Sequence, residues 1–201
     1  MVLDTYARKY FDSVINLAAE FLAGQGLSSN QVTVMAAITG VFAGFLVYLD
    51  LFIAAIIALW FSGFLDAVDG AVARLNNQES LWGTVLDISM DRIVEISFII
   101  GLAFRFPEVR LNLLFMTLSI ILSLTIFLTV GAVSEKSGEK SFRYQSGLME
   151  RTEGFILFTV FLLLPDFIFG LTILYAILVL YTAIQRFMEA RKLLSRADKI
   201  N

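Results

Sequence analysis

Four aspartates with regular spacing stand near the middle of this 201-residue chain. They form two pairs, Asp66 with Asp69 and Asp87 with Asp91. Residues three or four apart share one face of a helix, so each pair would project from one side of its helix and could converge with the other pair. Hard divalent cations such as Mg²⁺ and Mn²⁺ prefer oxygen ligands and would neutralise acids packed this closely. The spacing therefore predicts a metal site at the facing ends of two helices.

Small residues and one cation accompany these acids. Gly70 and Gly83 would let a backbone or a ligand approach closely, and Ala73 would serve likewise. Arg74 lies four residues after Gly70, on the same helical face, where its guanidinium could bind phosphate oxygens. The chain contains no histidine. A general base working near neutral pH would have to be a carboxylate, a lysine, a tyrosine or a metal-bound water.

Eight residues between Asp66 and Asp91 match a known family signature in both residue type and spacing. The chain resembles the CDP-alcohol phosphotransferases, integral membrane enzymes of phospholipid headgroup synthesis. Helix caps and interfacial ion pairs are the alternative explanation for the acids, but capping does not require eight spaced identities. The matching positions are Asp66, Asp69, Gly70, Ala73, Arg74, Gly83, Asp87 and Asp91.

The resemblance implies a reaction and its partners. A phosphatidyl-type group would pass from a CDP-linked lipid, either CDP-diacylglycerol or its archaeal ether analogue, to the hydroxyl of a small polar alcohol, with release of CMP. Two divalent ions, Mg²⁺ or Mn²⁺, would assist this phosphoryl displacement. The resemblance further implies a homodimer among membrane lipids, and we expect no nucleic-acid partner.

The resemblance also implies roles for individual residues. Asp66, Asp69 and Asp87 would supply most of the metal ligands. Asp91, one helical turn further, would be the general base for the incoming hydroxyl and could also touch one metal. The CDP-lipid would be bound by Gly70, Ala73, Arg74 and Gly83, with Ser80 as an extra contact.

A second stretch opens the first apolar segment. Asn30 and Thr33 lie in Leu-Ser-Ser-Asn-Gln-Val-Thr, which resembles the family's Pro-Asn-x-Val-Thr with Ser29 in place of proline. These side chains could contact the nucleotide or could cap the helix, since both roles use the same polar groups. Both interpretations stay open.

The acceptor site is predicted from three cations. Arg151 and Arg186 resemble the two arginines with which inositol-phosphate-using members hold the acceptor's phosphate. Those members also carry a Lys-Ala-Arg run late in the fourth span, where this chain reads Gly131-Ala-Val133, and Lys136 could compensate. The alternative is that these residues are ordinary cationic flanks of membrane spans. Inositol phosphate, glycerol phosphate and serine all stay open as acceptors.

Composition predicts a membrane protein. Hydrophobic residues make up 58% of the chain, 19 residues are phenylalanine, and the mean hydropathy is +0.81. A soluble domain has about 45 to 50% apolar residues. There is no cysteine, which excludes a disulfide framework and thiolate chemistry.

Periodicity predicts an all-α integral membrane protein in a single domain, 1–201. Residues 2–23 have a polar stripe and an apolar face, typical of an amphipathic helix lying in the membrane interface. Pro107 and Pro165 mark turns between later segments. Six transmembrane helices would then fill 31–184, at about 31–49, 51–68 with continuation to residue 74, 81–104, 111–133, 147–164 and 167–184, before a basic tail at 185–201.

The distribution of cations predicts orientation. Arg105 and Arg110 are the only Lys or Arg residues in the loops on one side of the predicted bundle. By the positive-inside rule, both termini and the turn between Asp66 and Asp91 are expected on the cytoplasmic face of the cell membrane.

Glu95 lies within the third predicted span. It could orient the proposed base, Asp91, but pairing with Arg92 is favoured.

A transporter coupled to ions or protons is the alternative of a different class, because intramembrane carboxylates also line transport pathways. Such transporters often have two related halves or helices broken at the midplane. Here the acids cluster at one end of the spans and the halves do not match. The pattern therefore favours the enzyme.

Overall fold

The computed structural model describes residues 2–136 and 148–197, with side chains described for 12–133 and 148–192. Within these ranges the chain is helical and contains no strand, which confirms the all-α prediction. The chain divides into two compact units, Val2–Pro107 and Glu108–Asn201. The helices are α1 (Val2–Gly24), α2 (Ser29–Tyr48), α3 (Phe52–Leu75), α4 (Leu81–Arg105), α5 (Arg110–Lys136), α6 (Arg151–Leu163) and α7 (Ile168–Ala197), with 3₁₀ turns at Pro107–Val109 and Pro165–Phe167.

Local signals explain most of the helix boundaries. Gly26 has a φ of 81°, which a side chain would disfavour, and it follows the end of α1. Ser28 is the N-cap of α2 and forms a capping box with Gln31. Pro107 and Pro165 lack an N–H and begin the two 3₁₀ turns at the predicted breaks.

Four stretches of the described residues are long and apolar enough to cross a membrane. The other two predicted spans differ for physical reasons. Helix α4 has sufficient length but contains four charged residues between Asp87 and Glu95. Helix α6 has only 13 residues and is about 20 Å long, against about 30 Å of hydrocarbon. The four stretches are Ser29–Tyr48, Phe52–Leu75, Pro107–Val133 and Pro165–Lys192.

In the first unit, α2 packs against both α3 and α4. The contact with α4 is close because it is lined by glycine. A Cβ added to Gly101 would lie 2.2 Å from the carbonyl oxygen of Gly44, so the two backbones nearly touch. On the side of α3, the Ser62 hydroxyl donates to the carbonyl of Ala36 at 2.7 Å. Thus α2 is fixed against both helices that carry the aspartates.

Helix α1 packs on α3 through Ala19, which is fully buried in a cluster with Val68 and Val72. A neighbouring face of α1 leaves large apolar side chains exposed: Leu17 is 68% exposed and Phe21 is 65% exposed. This distribution of buried and exposed apolar side chains fits an amphipathic helix that packs against α3 along one edge. Its location in a membrane interface stays a prediction.

In the second unit, α7 packs against α5 and α6. The ring of Tyr175 stacks on Phe158 of α6 at a centroid distance of 5.5 Å. Asn112 of α5 donates from its side chain to the carbonyl of Phe169 at 3.3 Å. Helix α7 continues through Ala197 and therefore includes most of the predicted basic tail.

Candidate metal centre

Three of the four predicted ligands come together in the first unit. Asp66 and Asp69 lie in the second half of α3, and Asp87 lies in the second turn of α4. Each offers a carboxylate oxygen, and these oxygens all lie within 4.8 Å of one another. Asp69 is buried and the other two are half-buried. Three carboxylates at this distance could hold a cation between them, and their oxygen donors suit Mg²⁺ or Mn²⁺.

Asp91 is half-buried one turn beyond Asp87 and is not one of that group of three. One turn further, Glu95 forms an ion pair with Arg92. The predicted pairing of these two residues is therefore confirmed. Asp91 is the carboxylate of α4 that lies nearest in sequence to this group of three aspartates without belonging to it.

The N-terminus of α2 contacts the same centre. The Thr33 hydroxyl donates to Oδ2 of Asp69 at 2.5 Å, and the Ser29 hydroxyl donates to the main-chain carbonyl of Asp69 at 3.1 Å. The N–H of Ser29 donates to Oε1 of Gln78 at 3.3 Å, in the segment that joins α3 to α4. Sequence reasoning placed Thr33 near the nucleotide or in a helix cap, and it missed this contact with a predicted metal ligand.

The predicted phosphate-binding pair lies beside the acids. A Cβ added to Gly70 would lie 3.5 Å from Nη1 of Arg74, so the guanidinium lies next to the glycine on the same helical face, as the spacing predicts. Arg74 is exposed. It can therefore meet an anion from solution. Ala73, adjacent in α3, is half-buried.

The start of α4 completes this end of the unit. Ser80 is the N-cap of α4 and accepts from the N–H of Gly83 at 3.0 Å. A Cβ added to Gly83 would lie 3.1 Å from the Ser80 hydroxyl and 3.5 Å from Oδ1 of Asn30. Asn30, Ser80 and Gly83 are therefore neighbours. The N-termini of α2 and α4 meet at the C-terminal half of α3.

Two predicted acceptor residues lie in the second unit. Arg186 of α7 donates to the hydroxyl of Ser123 at 3.3 Å, and its guanidinium lies 5.2 Å from the ring centroid of Phe127. Arg151, the first residue of α6, lies over the ring of Phe155 at 5.4 Å. The side chain of Lys136 lies outside the described residues.

Comparison with known proteins assigns this fold and site to a class. Residues 27–185 match the family described as CDP-alcohol phosphatidyltransferase, and the chain belongs to this family. It is an enzyme of that class, a membrane-embedded transferase of phospholipid biosynthesis. The predicted family and reaction class are confirmed.

Two relatives within this family match most of the chain. The archaetidylinositol phosphate synthase of Pyrococcus horikoshii is 34% identical over 173 residues, which cover 85% of this chain and 87% of that protein. The phosphatidylinositol phosphate synthase of Mycobacteroides abscessus is 28% identical over 155 residues, covering 75% and 69%.

Solved structures share the fold. The crystal structure of the Mycobacterium tuberculosis phosphatidylinositol phosphate synthase with CDP-DAG bound has a TM-score of 0.68 and 22% identity, covering 89% of this chain and 94% of that one. A structure of the same enzyme in complex with manganese and citrate also has a TM-score of 0.68 and 22% identity, covering 88% of each chain. At this identity, the likeness establishes the common fold.

Proposed function

We propose that this enzyme transfers the phosphatidyl-type group of a CDP-linked lipid to a hydroxyl of inositol phosphate or a closely similar phosphorylated polyol. The acceptor oxygen would form a bond to the lipid-linked phosphorus, the bond from that phosphorus to the oxygen of CMP would break, and CMP would leave. The observation that carries this proposal is the group of Asp66, Asp69 and Asp87 within the family motif. The CDP-DAG bound to the tuberculosis enzyme supports the lipid donor.

Asp66, Asp69 and Asp87 would hold the divalent cations. Bound there, two ions would supply positive charge to the pyrophosphate and to the departing phosphate of CMP. The closeness of the three carboxylates and the manganese in the tuberculosis enzyme both support a divalent metal. Either Mg²⁺ or Mn²⁺ suits three carboxylates.

Asp91 would accept the proton of the acceptor hydroxyl. It is close to the group of three in sequence, and one turn of α4 separates it from Asp87. An ionised carboxylate in such a position can contribute about 10² to 10⁴ in rate as a general base. Arg74 would bind phosphate oxygens of the nucleotide beside Gly70. The remaining CDP-lipid contacts would come from Asn30, Ala73, Ser80 and Gly83, while the Thr33 hydroxyl bonds to Asp69.

Arg151 and Arg186 would bind the phosphate of the acceptor, with Lys136 as a third cation. The two arginines are half-buried and each guanidinium lies against an aromatic ring, which restricts its motion. The names of the relatives from Pyrococcus and Mycobacteroides support an inositol phosphate acceptor. Glycerol phosphate and serine have no comparable support.

We also propose that α2 to α7 form six transmembrane spans in a single domain, with α1 in the interface. The charged α4 has a stripe of exposed apolar side chains, at Ile93, Ile96, Ile100 and Phe104, that suits contact with lipid. The aspartate centre would face the cytoplasm of the cell membrane, and two copies would form a homodimer.

An acceptor panel tests this function. The purified protein would be assayed in detergent for CMP release from CDP-diacylglycerol and its ether analogue, with Mg²⁺, Mn²⁺ or EDTA. We expect metal-dependent release with inositol phosphate and little with glycerol phosphate, serine or no acceptor. Faster release with glycerol phosphate or serine would reassign the acceptor, and no metal-dependent release with any acceptor would overturn the proposal.

A matched pair of variants tests the acceptor residues. Arg186→Gln should raise the KM for inositol phosphate and leave the KM for the CDP-lipid unchanged. Arg191→Gln, an exposed arginine on the same helix, is the control. Equal KM values for inositol phosphate in both variants would contradict the role of Arg186.

A further inference from the structure

We propose that Thr33 is a positioning residue of the metal centre, with Ser29 as its support. The Thr33 hydroxyl fixes the orientation of the Asp69 carboxylate, and Ser29 fixes the main chain of the same aspartate. This assignment rests on the proposed function, because it takes Asp69 to be a ligand of a divalent cation. It gives Thr33 a role that acts on the metal rather than on the nucleotide.

The contact between Thr33 and Asp69 has the properties of a strong hydrogen bond. The distance from Oγ1 to Oδ2 is 2.5 Å, at the short end of the range for a hydroxyl that donates to a carboxylate. Thr33 is 4% exposed and Asp69 is 7% exposed, so water competes little for either group. A buried carboxylate of this kind depends on its hydrogen-bond partners for its orientation.

The alternative is that Thr33 only bonds to its own helix. Its hydroxyl also lies 3.1 Å from the carbonyl of Ser29, four residues earlier, which is a common local arrangement for threonine. A hydroxyl has one proton to donate. Because the carboxylate oxygen is closer and charged, the proton goes to Asp69.

Ser29 adds a second connection to the same aspartate. Its hydroxyl donates to the main-chain carbonyl of Asp69, and its N–H donates to Gln78. Ser29 stands where the family's stretch has proline, which has neither a hydroxyl nor an N–H. This chain therefore connects the start of α2 to Asp69 and to the α3–α4 segment through two bonds that proline could not make.

The consequence is a requirement for Thr33 in metal binding. Partners that orient a ligating carboxylate typically contribute 10 to 100-fold to metal affinity. Without the hydroxyl, the Asp69 carboxylate could rotate away from the oxygens of Asp66 and Asp87. Metal affinity should fall while the residues that would contact the CDP-lipid remain in place.

Direct titration of the substrate-free protein with Mn²⁺ in detergent tests this role. Thr33→Val, which keeps the shape and removes the hydroxyl, should weaken Mn²⁺ binding by about 10 to 100-fold. Thr33→Ser should restore most of the affinity. Thr39→Val is the matched control, because the Thr39 hydroxyl donates only within its own helix, to Met35 at 2.8 Å.

Turnover gives a second readout. In Thr33→Val, the Mn²⁺ concentration for half-maximal CMP release should rise in parallel with the dissociation constant, with the KM for CDP-lipid unchanged at saturating Mn²⁺. Normal Mn²⁺ affinity with a raised KM for CDP-lipid would overturn the proposal and assign the hydroxyl to the nucleotide. Unchanged values for both would overturn it as well.

Two further variants distinguish failure of the role proposed for Thr33 from failure of the proposed function. Ser29→Ala should weaken Mn²⁺ binding in the same direction, and it serves if Thr33→Val does not fold; unchanged affinity in a folded Ser29→Ala would overturn the supporting role of Ser29. Failure of the proposed function would look different. Asp69→Asn would then bind Mn²⁺ as well as the unaltered protein, or the unaltered protein would bind Mn²⁺ and release no CMP.

Discussion

Arg105 donates two hydrogen bonds to Asp50, from Nε to Oδ1 at 2.8 Å and from Nη2 to Oδ2 at 3.0 Å. Asp50 lies in the turn between α2 and α3 and has a φ of 66°, while Arg105 ends α4. The guanidinium also lies over the rings of Phe106 and Phe52, at 5.0 and 5.8 Å. This pair therefore connects three helices at the end of the first unit that is remote from Asp66, Asp69 and Asp87.

We expect the contribution of this pair to stability to depend on pH. The hydrogen bond from Arg105 holds the pKa of the Asp50 carboxyl below its usual value. A lowered pKa in the folded state stabilises the fold above the unfolded pKa of about 4, and this stabilisation is lost as the pH falls through the folded pKa. In detergent at pH 7, Asp50→Asn should lower the Tm by at most about 4 °C, because exposed pairs contribute little.

Asparagine is a suitable replacement because it tolerates the left-handed backbone conformation of this turn. The Tm values of the two proteins should converge as the pH is lowered below about 4. A Tm difference that does not change with pH would mean that the effect comes from the turn rather than from the ion pair.

The close approach of α2 and α4 predicts a large penalty for one added methyl group. Gly101→Ala would place Cβ 2.2 Å from the carbonyl oxygen of Gly44, so the helices must move apart, at a cost of about 1 to 3 kcal/mol in unfolding free energy. Gly170→Ala on α7 is the control, because nothing lies within 4 Å of its added Cβ. Thermal unfolding in detergent compares the two. Equal stability of both variants would contradict the described helix contact.

Neutralising one acid of the proposed metal site should stop catalysis. Asp66→Asn and Asp87→Asn keep the shape and remove the charge that offsets the cation, so CMP release should fall by about 10³-fold or more. Mn²⁺ binding should weaken in the same variants. Glu108→Gln removes an exposed carboxylate elsewhere and should change neither measurement. Full activity of Asp66→Asn or Asp87→Asn would refute the metal centre.

Asp91 should behave differently from these ligands. If it accepts the proton of the acceptor, Asp91→Asn should lower kcat by about 10² to 10⁴ and leave CDP-lipid binding and Mn²⁺ affinity close to normal. Turnover and Mn²⁺ titration must be measured on the same variant. Loss of Mn²⁺ as complete as in Asp87→Asn would show instead that Asp91 is a ligand.

Cysteine labelling tests the proposed topology. The chain has no native thiol, so single cysteines report without background. Glu79→Cys, between α3 and α4, and Asp166→Cys, between α6 and α7, should be labelled by an impermeant reagent from opposite sides of the membrane. Labelling of both from the same side would contradict the arrangement of six spans.

Spacing along the chain predicted the contacts that depend on one helix or on a known motif. The Arg92–Glu95 pair follows directly from the helical repeat, because these residues are one turn apart. The approach of Asp87 to the acids of α3 followed from the eight matching identities. Contacts between residues that share neither a helix nor the motif were not predictable in this way. Thr33 and Asp69 are 36 residues apart, and each has a plausible role without the other.

The last helix, α7, shows a different limit of prediction from the sequence. Hydropathy falls after residue 184, which predicted the end of the last span and a tail. Helix α7 nevertheless continues to Ala197. The residues beyond 184 include Arg, Met, Glu, Ala, Lys and Leu, all good helix formers. Hydropathy predicts where a membrane span could end, whereas helix propensity determines where the helix itself ends.

Helix α2 carries none of the four aspartates, yet it contacts both helices that do. Thr33 joins it to Asp69 of α3, and Gly44 seats it against Gly101 of α4. Inserting one residue between Thr33 and Gly44 would rotate one contact by about 100° relative to the other and shift it by about 1.5 Å. The number of residues between the two contacts of α2 therefore sets how far α3 and α4 are shifted along their axes relative to each other. That shift decides whether Asp69 lies opposite Asp87.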